Sequence, residues 1–213
     1  MAEEKALKFT EENAGEDGEA YAANFSAHRP GISPAEATAV YDNWAKMGLY
    51  EQDLCPERYT GPAIAANAVG NFFQQDRDKV LILDTASGTG FVGEELKKLG
   101  FERLHALDPS QEMLKIARQK NIYQKDYCCY LDNNRLPIDD DVYDCAVISG
   151  GMGGLVCIVM REEYLQHVAE YRDRLEALMK EMEVAGTWKL HSRTIVPKYS
   201  FDNNGVVFMF VVN

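Results

Sequence analysis

"LILDTASGTGFVG", residues 81–93, decides how this chain reads. Leu81, Ile82 and Leu83 form an uncharged apolar run, as a strand covered on both faces requires. Asp84 ends the run, and Gly88, Gly90 and Gly93 follow in a G-x-G-x-x-G pattern. Such glycines let a backbone approach a nucleotide closely. The pattern alone is weak, but a strand before it and a helix opening after it are the context the mechanism requires. A second acid, Asp108, closes the next apolar run, "RLHALD" at 103–108. A carboxylate at that place can accept both hydrogen bonds of a ribose diol. The plainer reading is that Asp108-Pro109-Ser110 is a turn and a helix cap.

Strand and helix patterns alternate outward from this loop. "KVLILD" (79–84), "RLHALD" (103–108), "DYCCYL" (126–131), "DCAVIS" (144–149) and "LVCIVM" (155–160) read as strands. "FVGEELKKLG" (91–100) and "SQEMLKIARQK" (110–120) read as helices, the second capped by Ser110, with Met113, Leu114 and Ala117 on its apolar face. Upstream, "SPAEATAVYDNWAKMG" is helical, with Ser33 as N-cap, Pro34 at the first position and Glu36 completing a capping box. A further helix opens near Thr60 and Pro62. Residues 161–184 carry apolar side chains at steps of three and four, which predicts one long helix. "TWKLHSRTIV" and "GVVFMFVV" end the chain as two strands joined through "DNNG". The order predicts an α/β, Rossmann-like, mostly parallel sheet with a C-terminal antiparallel hairpin.

Bulk properties bound the rest. The net charge of −12 and the lack of a basic cluster disfavour a nucleic-acid partner, whose binding draws on Lys and Arg. No stretch approaches the ~20 apolar residues of a membrane span. The acidic N-terminus has no apolar signal region, and five cysteines without one read as reduced thiols of a cytoplasmic protein, with a nuclear location also compatible. Residues 1–35 are acidic and aperiodic and read as a disordered arm before a domain at 36–213. The oligomeric state is not legible.

The choice of nucleotide turns on charge. A dinucleotide site aims a helix N-terminus at a pyrophosphate, with a glycine at the strand end. Here an acid, Asp84, ends the strand. A carboxylate suits the ammonium and sulfonium of S-adenosylmethionine and repels a pyrophosphate. An NAD-dependent oxidoreductase remains the weaker alternative.

These motifs resemble a known family. "VLILDTASGTGFVGEEL" is similar to the first motif of class I S-adenosylmethionine-dependent methyltransferases, with Ala86 in place of a glycine. "LHALDPSQEMLKIARQK" resembles the next motif, and "LDNNRLPIDDDVYDCAVIS" the end of the third strand and the fourth. The resemblance implies that Asp84, Ala86, Ser87, Gly88 and Gly90 form the cofactor loop. It also implies that Asp108 binds ribose, Met113 lies against adenine and Asp132 accepts from the adenine amino group. "YDNWAKMGLYEQDLCPERYTGP" is similar to the corresponding region of methyltransferase-like proteins named for the Williams–Beuren syndrome chromosome region. The implied activity is methyl transfer to a small-molecule or protein nucleophile. No catalytic base is named.

Other candidates are weaker. His28, His105, His167 and His191 lack metal-ligand spacing, and Cys128-Cys129 alternate across a strand, so no metal site is expected. Asp139-Asp140-Asp141 read as a solvated turn. Tyr41, Trp44, Tyr50 and Tyr59 either fold over the cofactor or pack the first helix on the core; Tyr59 is the candidate substrate-pocket residue. One stretch departs from the pattern. In "CAVISGGMGGLVCIVM" only "GGMGG" separates two strands, a reach of ~18 Å, whereas parallel neighbours usually need a crossover helix. The expectation is that 144–149 and 155–160 cannot be parallel neighbours. The chain would then be an impaired enzyme, or a non-catalytic cofactor-binding protein of the same fold.

Overall fold

The computed structural model describes residues 26, 27, 29, 31–131, 135–139, 142–147, 155–169, 171–200 and 203–212. The apolar runs pair into a sheet of order β3-β2-β1-β4-β5-β7-β6. The strands are β1 (Leu81–Thr85), β2 (Arg103–Leu107), β3 (Lys125–Tyr127), β4 (Cys145–Val147), β5 (Leu155–Arg161), β6 (Trp188–Ser200) and β7 (Asn203–Val212). The first five run parallel, and β7 turns antiparallel against β5 and β6. The α/β reading with a C-terminal hairpin therefore holds.

The helices are α1 (Pro34–Lys46), α2 (Tyr50–Asp53), α3 (Gly61–Phe72), α4 (Phe91–Lys98), α5 (Gln111–Gln119), α6 (Tyr164–His167) and α7 (Leu175–Val184). The capping box that opens α1 forms as expected: Glu36 N–H donates to Ser33 Oγ, and Ser33 N–H donates to the Glu36 carboxylate. Ser110 caps α5 by accepting from Met113 N–H at 3.1 Å. Each sheet face has its own core. On one face, Ala65, Ala66 and Val69 of α3 and Leu96 of α4 pack on Ile82, Val147, Cys157 and Val159. On the other, Met179 of α7 joins Val156, Trp188, Phe208 and Phe210. Among the described residues no helix is long and apolar enough to cross a membrane.

Four expectations need correction. First, β4 and β5 are parallel neighbours, with Cys145 opposite Leu155 and Val147 opposite Cys157. The sequence reading extended β4 to residue 149. The strand register ends at Val147, so the chain must step back about two residues and across one strand spacing, about 8 Å in all. Residues 148–154 can reach about three times that distance. No crossover helix is needed to satisfy this register. Second, 161–184 is not one helix. Val168 is extended, Asp173 sits at φ 59°, and the helix divides into α6 and α7. An unbroken helix over that span would be about 36 Å long, well beyond the roughly 23 Å of β5 that it covers. Third, β3 stops at Tyr127, opposite the end of β2 at Leu107, so 128–131 are not strand. Fourth, "DNNG" does not lie between the two strands, because β6 runs on to Ser200 and β7 begins at Asn203.

Candidate functional site

In this strand order β1 lies between β2 and β4: the chain runs outward from β1 through β2 to β3, then returns to β4 on the other side. Ligands of open α/β sheets bind in the crevice outside the C-terminal strand ends at such a reversal. The loop 86–90 leaves β1 at that place.

Ala86, Gly88 and Gly90 all have positive φ, at 54°, 54° and 96°. The loop is pinned from below by Ser87 N–H donating to Leu107 O at 3.1 Å and Gly90 N–H donating to Ser87 O at 2.9 Å. Asp108 ties the loop to the next motif. Its Oδ2 accepts from Gly88 N–H and its Oδ1 from Ser110 N–H, both at 2.8 Å. Burial pushes the Asp108 carboxyl up, and those two N–H groups pull it back. The turn-and-cap reading of 108–110 is thus realised, and one carboxylate oxygen also touches the glycine loop. The two readings are compatible, since each oxygen keeps a second acceptor direction.

Asp84 is buried at the end of β1. Its Oδ2 accepts from the Tyr123 hydroxyl at 2.5 Å. Burial pushes its carboxyl up to about 7; the Tyr123 hydroxyl lowers it, the charge of Asp108 raises it, and Gly93 N–H lowers it. Gly93 makes this contact possible. A Cβ there would lie 2.5 Å from the Tyr123 oxygen, so the third glycine is a packing glycine.

Met113 is buried on α5 behind the Ser110 cap. Asp132 lies outside the described residues. Asp84, Ala86, Ser87, Gly88, Gly90, Asp108 and Met113 are brought to one end of β1 and β2. Tyr59 lies between α2 and α3. It is half-buried, shares a 3.0 Å hydrogen bond with the Tyr199 hydroxyl and bridges to Ser200. Thr60 does not cap α3 with its side chain; its Oγ donates to the carbonyls of Lys198 and Tyr199.

Several participants carried no separate sequence signal. Asp42 on α1 accepts from Ser110 Oγ at 2.5 Å, fixing α1 across the start of α5. Tyr123 follows α5 in a segment without a motif. Tyr50 is one of the four aromatics of the N-terminal segment, and its hydroxyl lies 3.4 Å from where a Gly88 Cβ would stand. Its ring stacks on Phe91 and meets Trp44 edge-on. Trp44 is buried, as packing of the first helix on the core requires, and Tyr50 lies over the glycine loop.

The residues present fit a polar, cationic nucleoside cofactor. Among the described residues, Asp84 Oδ1, Ser87 Oγ and Thr89 Oγ1 are buried without a hydrogen-bond partner. Buried polar atoms are rarely left so, and these three cluster in β1 and the loop after it.

Comparison with known proteins agrees. A family profile described as "Methyltransferase domain" matches residues 82–181. Methyltransferase-like protein 27 of Homo sapiens is 31% identical over 173 residues, covering 73% of this chain and 69% of that protein. Magnesium protoporphyrin IX methyltransferase of Synechocystis PCC 6803, solved with S-adenosylhomocysteine, superposes with a TM-score of 0.58 at 12% identity, over 83% of this chain and 99% of that one. The 1,6-didemethyltoxoflavin-N1-methyltransferase of Burkholderia thailandensis, also solved with S-adenosylhomocysteine, gives 0.57 at 14% identity, over 87% and 92%. The chain belongs to the class I methyltransferases, enzymes whose cofactor is S-adenosylmethionine.

Proposed function

We propose that this chain transfers a methyl group to a small-molecule or protein nucleophile from a cofactor held by Asp84, Ala86, Ser87, Gly88, Gly90, Asp108 and Met113. The observation that carries this reading is the cluster of buried, unpartnered oxygens on Asp84, Ser87 and Thr89 beside Asp108. S-adenosylmethionine supplies a methyl group on a cationic sulfur, which a nucleophile takes by direct displacement. Asp108 takes the ribose diol, Met113 lies under the adenine, and Asp132 accepts from its amino group. Asp84 and its Tyr123 partner favour the cationic end. Tyr50 covers the loop, excluding water. Tyr59 lines the acceptor pocket. The protein's contribution is alignment and proximity, so no covalent enzyme intermediate is required.

The expected impairment followed from a lost crossover helix between the fourth and fifth strands; β4 and β5 pair in parallel all the same, and this supports reading the chain as an active enzyme. The likeness to methyltransferase-like protein 27 supports membership in the Williams–Beuren-named subgroup. We also place the chain in the cytoplasm and read the acidic N-terminal residues as an arm outside the domain. The test is S-adenosylhomocysteine production from S-adenosylmethionine in a metabolite-and-protein extract, by wild type and by Asp108→Ala. Production by wild type alone supports transfer. Tight cofactor binding with equal background production by both would favour a non-catalytic binding protein.

A further inference from the structure

α2 lies over the glycine loop through Tyr50, whose hydroxyl approaches Gly88. Its four residues are too few to hold a helix by themselves, so side-chain contacts must hold it in place. The Tyr50 ring stacks on Phe91 of α4 at 5.9 Å and meets Trp44 of α1 edge-on at 5.0 Å. Trp44 Nε1 donates to Asp53 Oδ2 at 2.7 Å, and Leu54 is buried. The chain is anchored on both sides of this segment. Asp42 ties α1 to Ser110 at the start of α5, and Thr60 N–H donates to Tyr199 O at 3.0 Å. Between α1 and α2 stands Gly48, at φ 70° and with open space where a Cβ would be.

An ionic contact fastens α2 to the body of the domain. Lys120 stands at the C-terminal cap of α5. Its Nζ lies 2.5 Å from Glu51 Oε1 of α2 and 2.9 Å from Glu94 Oε2 of α4. The same ammonium sits 4.8 Å from the centroid of Phe91, the ring on which Tyr50 stacks. Lys79, Lys98, Lys115 and Lys180 form ion pairs between residues three apart, and each is at least 65% exposed. Lys120 is 18% exposed and joins three elements. Glu51 Oε1 is a buried atom, so the ammonium compensates its desolvation, and removing one partner leaves the other uncompensated.

We propose that Lys120 is a positioning residue for the cofactor: it latches α2 down over the loop at 86–90, and the latch sets how long the cofactor stays bound. A cofactor held at Gly88 lies beneath Tyr50, so its entry and release need α2 to lift about Gly48. Lifting separates Glu51 from Lys120 and Tyr50 from Phe91 together, because Lys120 and Phe91 form one seat. Glu94 keeps the ammonium in that seat while α2 is raised, ready to meet Glu51 again. The ring contacts of Tyr50 and the burial of Leu54 remain when the latch is lost, so α2 then opens more often without unfolding. The inference rests on the cofactor-site reading, because it needs the cofactor beneath Tyr50.

The test measures the release rate of S-adenosylhomocysteine from the full chain, by stopped-flow tryptophan fluorescence, at about 0.05 M and about 0.5 M salt, which differ strongly in screening. Wild-type release should quicken as salt rises. Lys120→Gln and Glu51→Gln should each quicken release about two- to fivefold at low salt, the worth of one partly exposed ion pair, and should remove the salt dependence. The double variant should release no faster than either single one, because the two side chains act through one contact. Lys115→Gln, which removes an exposed cation from the same helix, should behave as wild type. Release from Glu51→Gln as slow as from wild type, or a salt dependence that both single variants keep, would overturn the proposal. So would additive effects in the double variant, or equal quickening by Lys115→Gln. Failure of S-adenosylhomocysteine to bind wild type would instead overturn the reading of the cofactor site.

Discussion

Ala86 holds a left-handed backbone conformation, φ 54°, at the position where the motif it resembles carries glycine. A Cβ in that region costs roughly 1–2 kcal/mol. Part of that returns because alanine has fewer unfolded conformations than glycine. Ala86→Gly should therefore stabilise the chain by about 0.5–1 kcal/mol, read as a shift of the urea midpoint at constant slope. The substitution was legible in the sequence as a departure from the motif. Its conformation was not, because alanine rarely signals a positive φ. Asp84 sets a second residue-scale expectation. Its carboxyl rises from 3.8 to about 7, with burial as the main cause. An acid raised in the folded state stabilises it fully below its unfolded value, and that stability is lost as pH rises through the folded value. The cofactor-free protein should lose stability between about pH 4 and 7 through this group, and Asp84→Asn should flatten that part of the profile. A cationic cofactor reverses the preference toward the ionised form. S-adenosylmethionine affinity should thus rise between about pH 6 and 7.5 in wild type and not in Asp84→Asn. Calorimetry across that range checks it, and an equal rise in both proteins would remove Asp84 from the cationic end.

Gly93 shows how an element carries the motif's third glycine. It sits on the inner side of α4 with Tyr123 and Ile122 filling the place a Cβ would take, at 2.5 and 2.9 Å. Gly93→Ala must push Tyr123 off Asp84. The expected result is a loss of about 1–3 kcal/mol of stability, from overpacking, with weaker cofactor binding alongside. A Gly93→Ala protein that melts and binds like wild type would show that Tyr123 can move freely. Elements whose signals are local were legible. Ser33, Pro34 and Glu36 fix the start of α1, Ser110 fixes α5, and the uncharged run 81–83 fixes β1. Elements set by their neighbours were not. The end of β3 follows the end of β2, and the division of α6 from α7 follows the length of the sheet beneath. The pairing of β4 with β5 is the sharpest case. Its register depends on where β4 stops, and apolar periodicity does not report that end. Cross-strand nuclear Overhauser contacts should link Ala146 to Val156 in parallel register. An antiparallel pattern would restore the expectation of a damaged sheet.

At the scale of the molecule, the acid-then-glycine order at the end of β1 was enough to separate an S-adenosylmethionine site from a dinucleotide site. The site's other side came from long-range packing. Asp42 and Tyr50 lie far in sequence from Tyr123, and the sheet with the helices of the N-terminal region brings them to one edge. The arm reading also has a whole-molecule consequence. Ala27 is buried and Arg29 meets Glu36 at 3.4 Å. Limited proteolysis should therefore trim the acidic N-terminus no further than Ser26 before reaching a resistant core, with the new N-terminus read by mass spectrometry. The account stands most directly on calorimetric titration of the wild-type chain and of Asp108→Ala with S-adenosylhomocysteine and with NAD. Wild type should bind S-adenosylhomocysteine and not NAD. Asp108→Ala should bind it more weakly by about 1–3 kcal/mol, the worth of charge-assisted bonds to a ribose diol. Binding of NAD by wild type, or equal S-adenosylhomocysteine affinity in both proteins, would contradict the site described at the end of β1 and β2.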